Sequence, residues 1–251
     1  MSREVAARAS DLDAIAVVVT GTPIEKTRVR RGGFANLLRD ALGAASPAFT
    51  EIDATSEPLR DLRDFRAVIV TGSAASVMER APWMLATEAR LRDAVHAGTP
   101  LLGICFGHQL LGQALGGRVA RNPRGREIGT VALELLHDDP LLDRAHDPFL
   151  VNMTHLDSVV DLPPGAEVLA RTARDPHAAL RFGPRAWGVQ FHPEIDAEVM
   201  ADYVRGRWDA LTSEGLNGER ISAEIAEAPA GRAVLRRFLS EVGVAGRAGG
   251  S

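Results

Sequence analysis

The sequence predicts an α/β protein with three layers, in which a doubly wound, mostly parallel central sheet has helices on both faces. Three observations predict this fold class. Short, continuous apolar runs such as Ala14–Thr20 are typical of strands buried on both faces. In the first half of the chain these runs alternate with helical patterns, the order that parallel sheets require. Beyond Gly117, short strands follow one another, which predicts an additional small antiparallel strand region.

The first half of the chain contains four predicted strands and three predicted helices. The strands are expected at Ala14–Thr20, Ala48–Ile52, Ala67–Val70 and Leu101–Ile104. The first helix covers Phe34–Leu42, where apolar residues recur at helical spacing and a glycine follows. The second covers Trp83–His96 and follows a proline, which suits a first helical turn. The third begins after Cys105 and ends at Gly116-Gly117.

The second half is predicted to be rich in strands, and helices return near its end. The strands are expected at Val119, Thr130–Leu136, Phe149–Met153, Val168–Ala170, Ala178–Phe182 and Ala186–Phe191, and the helices at Glu198–Leu211 and Ala223–Val242. We expect one domain over residues 14–245, of which 212–245 form a C-terminal helical extension. A polar N-terminal tail (1–13) and a flexible tail (246–251) are predicted to flank it.

Composition excludes several classes of protein. A net charge of −4 gives no electrostatic reason to expect nucleic acid as a partner. The apolar runs are far shorter than the roughly 20 residues of a membrane span, and the polar start lacks the features of a secretory signal. The single cysteine excludes an internal disulfide and a cysteine-rich zinc site. We therefore expect a cytoplasmic protein without a membrane partner, metal or cofactor.

Three arginines follow the first strand, near the edge where open α/β sheets bind ligands. Arg28, Arg30 and Arg31 are expected in a solvated loop, because most charge clusters are surface features. An anion-binding role for this cluster is the alternative interpretation.

Cys105 lies where an apolar strand turns into a helix. Gly103 and Gly107 flank it in the G-x-nucleophile-x-G arrangement of a nucleophile elbow, with cysteine in place of serine. The two glycines leave room for a tight turn, and the helix N-terminus favours a thiolate. A buried, inert cysteine is the alternative. His108, one turn further on, is expected on the helix surface or beside the site rather than in catalysis.

His192 and Glu194 follow the last predicted strand. In an extended segment, residues two apart project to the same side, so this carboxylate can orient the imidazole beside it. An imidazole held in this way can accept the proton of a thiol. A metal site that includes His155 and Asp157 is an alternative, but no metal-ligand spacing supports it.

Together these segments resemble the class I glutamine amidotransferase family, which has a Cys-His-Glu triad. The resemblance extends from roughly Ala14 to Leu211, most of the chain. The matching pieces are Thr71-Gly72-Ser73, Gly103-Ile104-Cys105-Phe106-Gly107-His108-Gln109, Thr154-His155-Leu156-Asp157 and Gly188–Glu194. Because no synthetase motif is recognisable, the chain is similar to stand-alone guanylate-synthase-like amidotransferases and to plant-type γ-glutamyl peptidases.

The resemblance implies a nucleophilic mechanism on a γ-glutamyl group. Cys105 attacks the γ-carbonyl carbon of glutamine or of another γ-glutamyl compound. His192 takes the thiol proton and passes it to the leaving ammonia or amine, and Glu194 orients His192. Water then hydrolyses the γ-glutamyl thioester and releases glutamate.

The resemblance also implies an oxyanion hole and a substrate-binding loop. The oxyanion donors are the Phe106 N–H and a backbone N–H at Gly72 or Ser73. Gln109 helps to hold the substrate, and the loop around His155 and Leu156 closes over its amino-acid end. Two departures from the family pattern affect these assignments: Thr71-Gly72-Ser73 replaces Gly-Gly-Pro, and Leu156 replaces the glycine of Ser-His-Gly-Asp, which narrows the pocket.

Three functions are consistent with these motifs. The first is a glutaminase that delivers ammonia to a synthetase or other acceptor partner protein. The second is a stand-alone γ-glutamyl hydrolase or peptidase, and the third is a non-catalytic binding or regulatory module that retains the fold. The sequence leaves open whether the chain forms a homo-oligomer.

Overall fold

The computed structural model describes residues 14–244. The predicted tails, 1–13 and 246–251, lie outside the described residues. The strands are β1 (Ile15–Val19), β2 (Phe49–Asp53), β3 (Ala67–Val70), β4 (Leu101–Ile104), β5 (Arg118–Arg121), β6 (Glu127–Leu135), β7 (Phe149–His155), β8 (Asp157–Asp161), β9 (Glu167–Arg171), β10 (Ala179–Gly183) and β11 (Ala186–Val189). The α-helices are α1 (Glu25–Arg31), α2 (Phe34–Leu42), α3 (Pro82–His96), α4 (Phe106–Ala114), α5 (Ala197–Gly206), α6 (Trp208–Ser213), α7 (Gly218–Ala223) and α8 (Pro229–Glu241).

A nine-stranded mixed sheet forms the centre of the fold, in the order β2-β1-β3-β4-β11-β10-β9-β6-β7. Neighbouring strands from β2 to β11 are parallel. Neighbouring strands from β11 to β7 are antiparallel. Strands β5 and β8 form a separate antiparallel pair. The predicted fold class, a mostly parallel α/β sheet with a small antiparallel region, is confirmed.

Apolar side chains cover both faces of the sheet. In β1, Ile15 and Val17 belong to one buried cluster, and Ala16 and Val18 belong to the other. Helices α2 and α8 contribute to the first cluster, and α3 and α4 contribute to the second. Strand β1 is therefore buried on both faces, which is why its sequence is continuously apolar rather than alternating. Helix α8 packs against the sheet through Val234, Leu235 and Phe238.

Four details of the predicted elements were wrong. The expected loop that carries Arg28, Arg30 and Arg31 contains helix α1. The single helix predicted over Glu198–Leu211 is divided at Gly206-Arg207 into α5 and α6. The helix predicted over Ala223–Val242 is two helices, because α7 ends at Ala223 and α8 begins only at Pro229. Strand β8 was not predicted, because its two central valines are flanked by polar residues and form too short an apolar run.

The carboxyl ends of the parallel strands meet at one edge of the sheet, where open α/β sheets bind ligands. Thr20 follows β1 and donates its hydroxyl to the carbonyl oxygens of Thr71 and Gly72 after β3, each at 3.0 Å. Cys105 follows β4, and its N–H donates to the Val189 carbonyl at the end of β11, at 2.8 Å. Strand order therefore brings these predicted site segments together.

None of the helices in the described part of the chain combines the length and the apolar character that crossing a membrane requires.

Candidate active site

Cys105 occupies a strained corner between β4 and α4. Its backbone has φ 51°, a left-handed value that residues with a side chain rarely adopt. A Cβ atom on Gly103 would lie 2.6 Å from the Gly107 carbonyl carbon, and one on Gly107 would lie 2.4 Å from the Val70 carbonyl oxygen. Both positions therefore require glycine. The turn has the close-packed backbone that the elbow motif predicts.

His192 and Glu194 form a buried pair beside Cys105. The Nδ1 of His192 lies 2.7 Å from Oε1 of Glu194, so Nδ1 carries the hydrogen and donates it to the carboxylate. Nε2 is buried and has no hydrogen-bond partner among residues 14–244. The ring lies parallel to that of Phe34, with 6.4 Å between centroids. Because Nδ1 is bonded to Glu194, Nε2 is the nitrogen that can exchange a proton.

Strand β7 fixes the turn that carries this pair. The Asn152 carbonyl accepts a hydrogen bond from the His192 N–H at 2.9 Å, and its side-chain amide donates to the Ile195 carbonyl at 2.9 Å. Gly72 is packed against the same ring, since a Cβ there would lie 3.0 Å from Cε1 of His192. Asn152 thus fixes the backbone of the turn, and the imidazole lies against Gly72.

The electrostatics of the site favour a thiolate and an imidazolium. Burial raises the pKa of the Cys105 thiol, but the charge of His192, together with that of His155, lowers it overall. Burial lowers the pKa of His192, but Glu194 and Cys105 raise it to about 10. Each partner therefore stabilises the charged form of the other. A thiolate is the nucleophilic form of cysteine.

His155 forms a second buried imidazole–carboxylate pair. Its Nε2 lies 3.2 Å from Oε2 of Glu127, and its Nδ1 lies 3.0 Å from the Asp157 carbonyl oxygen. Because both partners are acceptors, both ring nitrogens donate and His155 is an imidazolium. Burial lowers the pKa of His155, but Glu127 and Asp175 raise it overall. The side chain of His155 thus brings a fixed positive charge to the cavity that also contains Cys105.

Gln109 and Leu156 lie beside this second pair. The Gln109 amide nitrogen donates to the Asp157 carbonyl at 2.7 Å and to Oε1 of Gln190 at 3.0 Å. It therefore shares an acceptor with His155 and anchors the loop between β7 and β8. Leu156 lines the same cavity, at the edge where the sequence predicted a narrowing.

The predicted oxyanion donors surround the Cys105 corner. The N–H of Phe106 is the first of α4, where backbone donors have no acceptor within the helix. Ser73 lines both cavities that contain Cys105. Gly72 instead lies against the ring of His192. Of the two residues, Ser73 is the one that borders the cavities at Cys105.

Two cavities meet at Cys105. The first, of about 330 Å³, is lined by Gln109, His155 and Leu156, and we call it the acyl cavity. The second, of about 210 Å³, is lined by His192, Phe34 and Tyr203, and we call it the amine cavity. Ser73, Thr154 and Arg207 line both. Of the predicted catalytic residues, Cys105 and His192 thus border these spaces. Glu194 does not border them and is bonded to Nδ1 of His192.

Sequence reasoning missed Glu127, Asp175 and Arg207. Glu127 opens β6 and faces His155 across the register with β7, and Asp175 lies in the loop before β10, with Oδ2 3.9 Å from Nε2 of His155. Arg207 ends α5, close to both cavities. No local signal marks them, because each depends on contacts between segments distant in the chain.

Two predicted surface groups have different surroundings from those expected. His108 is completely buried, with its ring 5.8 Å from that of Phe182, so a position on the helix surface was wrong. Arg28 pairs with Glu25 within α1. Arg30 and Arg31 pair with carboxylates of α5 and its N-cap, which join α1 to α5: these are Asp196, Glu198 and Asp202. The arginine cluster is therefore a set of ion pairs within the fold.

No group of three or more His, Cys, Asp or Glu side chains within residues 14–244 is arranged to hold a metal ion.

A family comparison identifies the family of the chain. The family described as "Glutamine amidotransferase class-I" matches residues 32–205. The chain belongs to this family. A relative from Aeropyrum pernix, named GMP synthase [glutamine-hydrolyzing], is 36 % identical over 162 residues, which cover 64 % of this chain and 30 % of that protein. The relative of the same name from Thermus thermophilus is 42 % identical over 151 residues, which cover 59 % of this chain and 29 % of that protein. The chain thus spans under a third of these relatives.

Solved structures of glutamine amidotransferases share the fold. A glutamine amidotransferase from Thermotoga maritima superimposes with a TM-score of 0.74 at 23 % identity, covering 91 % of this chain and 97 % of that chain. A glutamine amidotransferase from Methylobacillus flagellatus superimposes with a TM-score of 0.66 at 22 % identity, covering 95 % of this chain and 97 % of that chain. At this level of identity, the likeness concerns the fold.

Proposed function

We propose that this class I amidotransferase cleaves γ-glutamyl amides, glutamine among them, through a γ-glutamyl thioester on Cys105. The observation that carries the proposal is the buried Cys105–His192–Glu194 arrangement, in which Nδ1 of His192 is bonded to Glu194 and Nε2 has no partner within residues 14–244. Such an imidazole can take the thiol proton and later release it. A cytoplasmic location remains part of this proposal.

The proposed reaction has two stages. The Cys105 sulfur attacks the γ-carbonyl carbon, the C–N bond breaks, and the nitrogen takes a proton from Nε2 of His192. Water then attacks the thioester, gives a proton to the same nitrogen, and the C–S bond breaks to release glutamate. Glu194 stabilises the imidazolium that forms in each stage.

The N–H groups of Phe106 and Ser73 are the proposed oxyanion donors. Phe106 is the first residue of α4, so its N–H has no acceptor within the helix, and Ser73 borders both cavities at Cys105. Donors fixed in this way stabilise the charge that develops on the carbonyl oxygen. Gln109, His155 and Leu156 are proposed to shape the acyl cavity, where the γ-glutamyl group would lie.

Two functional settings follow from this chemistry. In the first, the chain supplies ammonia to a synthetase partner, a proposal supported by the relatives named GMP synthase, of which it matches under a third. In the second, it acts alone on γ-glutamyl compounds with larger amines, which the volume of the amine cavity favours. A non-catalytic module would not need an imidazole with a free nitrogen beside a cysteine.

The experiment is to incubate the purified chain with glutamine and with γ-glutamyl peptides and to measure released glutamate. We expect release by the native chain and loss of more than about 1,000-fold in Cys105→Ala, because the covalent step disappears. Ser46→Ala, far along the chain from the site and partly exposed, serves as the control. Activity that survives Cys105→Ala, or a γ-glutamyl group trapped covalently on another residue, would refute the mechanism.

A further inference from the structure

Arg207 lies beside Cys105 with its charge unpaired. Its neighbours Arg126 and Arg205 pair with Glu214 and Asp202. Arg207 has no ion pair with any carboxylate in residues 14–244, and its Nε is buried without a hydrogen-bond partner. Its guanidinium lies over the Tyr203 ring, 5.4 Å from the centroid. A half-buried cation without a carboxylate partner in the wall of a cavity can bind an anion there.

Arg207 lines both cavities at Cys105, and the amine cavity is the one in which a leaving group would lie. His192 lines this cavity and, under the proposed function, gives its proton to the leaving nitrogen, so the leaving group lies here. The cavity has a volume of about 210 Å³. Ammonia is close to water in size, and a molecule of that size needs only roughly 10–15 Å³ of such a space. The cavity can therefore hold a larger amine.

The remaining lining of the amine cavity is mainly apolar or neutral. Pro23, Ile24 and Phe34 form part of its wall, and Arg207 is its only residue with a permanent positive charge among those described. The acidic side chains near Cys105 lie elsewhere, since Glu79 and Asp157 line the acyl cavity and Glu194 is bonded to His192. The other cation of this cavity, the His192 imidazolium, is already bonded to Glu194, so Arg207 is the charge that can bind a carboxylate on the amine.

We propose that Arg207 binds a carboxylate on the leaving amine, so that the preferred substrates are γ-glutamyl amino acids or peptides rather than glutamine. The proposal rests on the proposed γ-glutamyl chemistry of Cys105 and concerns only the amine half of the substrate. Arg207 is a specificity-determining residue in this scheme. Its guanidinium offers the parallel donors that bind carboxylates in bidentate fashion.

The test compares two substrates that differ only in the carboxylate: γ-glutamyl-glycine and γ-glutamyl-methylamide. We expect the native chain to prefer γ-glutamyl-glycine in kcat/KM by about 10- to 100-fold, the usual value of one charged hydrogen-bonding interaction. Arg207→Gln should reduce this ratio to near one by slowing γ-glutamyl-glycine alone. Because both rates come from one preparation, the ratio does not depend on the fraction that is folded.

Two further variants make the test specific. Arg121→Gln removes an exposed arginine that lines only the acyl cavity, and it should leave the ratio unchanged. Arg207→Lys keeps the charge and should keep more of the preference than Arg207→Gln. Equal losses on both substrates in Arg207→Gln would place the arginine on the γ-glutamyl group and overturn the proposal. So would a native preference for glutamine over γ-glutamyl-glycine.

Binding separates this proposal from the proposed function. Cys105→Ala removes the nucleophile, and calorimetry can measure its affinity for both compounds without turnover. The role of Arg207 is supported if Cys105→Ala binds γ-glutamyl-glycine more tightly than γ-glutamyl-methylamide and if the double variant Cys105→Ala/Arg207→Gln does not. This result would stand even if Cys105 is not the nucleophile. Equal affinities of Cys105→Ala for the two compounds overturn the role of Arg207, even if Cys105 is the nucleophile.

Discussion

His192 and His155 lie near the same cysteine and are paired with Glu194 and Glu127, respectively. Both imidazoles are buried, and both lower the pKa of Cys105. They differ in their second nitrogen. That of His192 has no partner within residues 14–244, whereas that of His155 is held by a backbone carbonyl. A carboxylate next to a histidine is therefore not enough to identify a base.

The difference separates proton transfer from a fixed charge. The Nε2 of His192 can accept a proton and return it, while His155 would have to break a hydrogen bond before it could do so. His155 instead supplies a constant positive charge and anchors the loop at Asp157. Replacing each member of the two pairs should therefore affect different quantities.

His192→Asn is expected to cause the largest effect. Without the base, the glutamate-release rate should fall by about 10,000-fold or more. Alkylation by iodoacetamide measures the thiolate directly. In the native chain it should begin well below pH 9 and persist at lower pH, because His192, whose pKa is raised to about 10, stays charged across this range. In His192→Asn the alkylation midpoint should rise. An unchanged midpoint would show that another charge produces the thiolate.

Glu194→Gln should cause the next largest effect. The amide keeps the size of the side chain but no longer stabilises the imidazolium, and a fall in kcat of about 100- to 10,000-fold is expected. Glu198→Gln is the matched control, since Glu198 is exposed on α5 and pairs with Arg30. A rise in KM with an unchanged kcat would contradict the assigned role.

Glu127→Gln tests the other half of the comparison. We expect kcat to fall by at most about tenfold, because His155 does not transfer the proton. Stability should instead fall by about 3 kcal/mol, since a buried imidazolium loses its closest carboxylate. Chemical denaturation measures this loss, and Glu134→Gln, exposed on the same strand, is the control. A loss in kcat as large as that of Glu194→Gln would make the two pairs equivalent.

The sequence predicted the His192–Glu194 pair but not the His155–Glu127 pair, for a physical reason. The first pair spans two residues in an extended segment, so local geometry determines it. The second joins residues 28 apart, brought together only by the register of β6 with β7. Register depends on the whole sheet, and no local pattern marks a Glu that will become buried.

The same reasoning applies to the fold. The apolar strands β1, β3 and β4 were predicted closely, because burial on both faces dictates their composition. Helix α1 was missed because its polar sequence resembles a loop, and its ion pairs with α5 join segments that are distant in the chain. Similarly, local periodicity predicts one helix where the structure has two, divided at Gly206-Arg207.

His108 presents a third arrangement, in which neither ring nitrogen has a partner within the described residues. Burial lowers the pKa of His108 to about 4, so the folded chain holds it neutral. The unfolded chain protonates it near pH 6.5. Above pH 6.5, His108 is neutral in both states and does not reduce the free energy of unfolding. As the pH falls below 6.5, the free energy of unfolding decreases, by roughly 3 kcal/mol at pH 4.

His108→Leu should show the smallest effect of the series at neutral pH and reveal itself only in acid. At pH 7 the free energy of unfolding should change by no more than about 1 kcal/mol, because an apolar side chain replaces one with no hydrogen bonds. Between pH 6.5 and 4 the variant should lose less stability than the native chain. His137→Leu, at an exposed site, should keep the native pH dependence. A parallel decline in His108→Leu and the native chain would mean that His108 is charged, and therefore partnered, in the folded state.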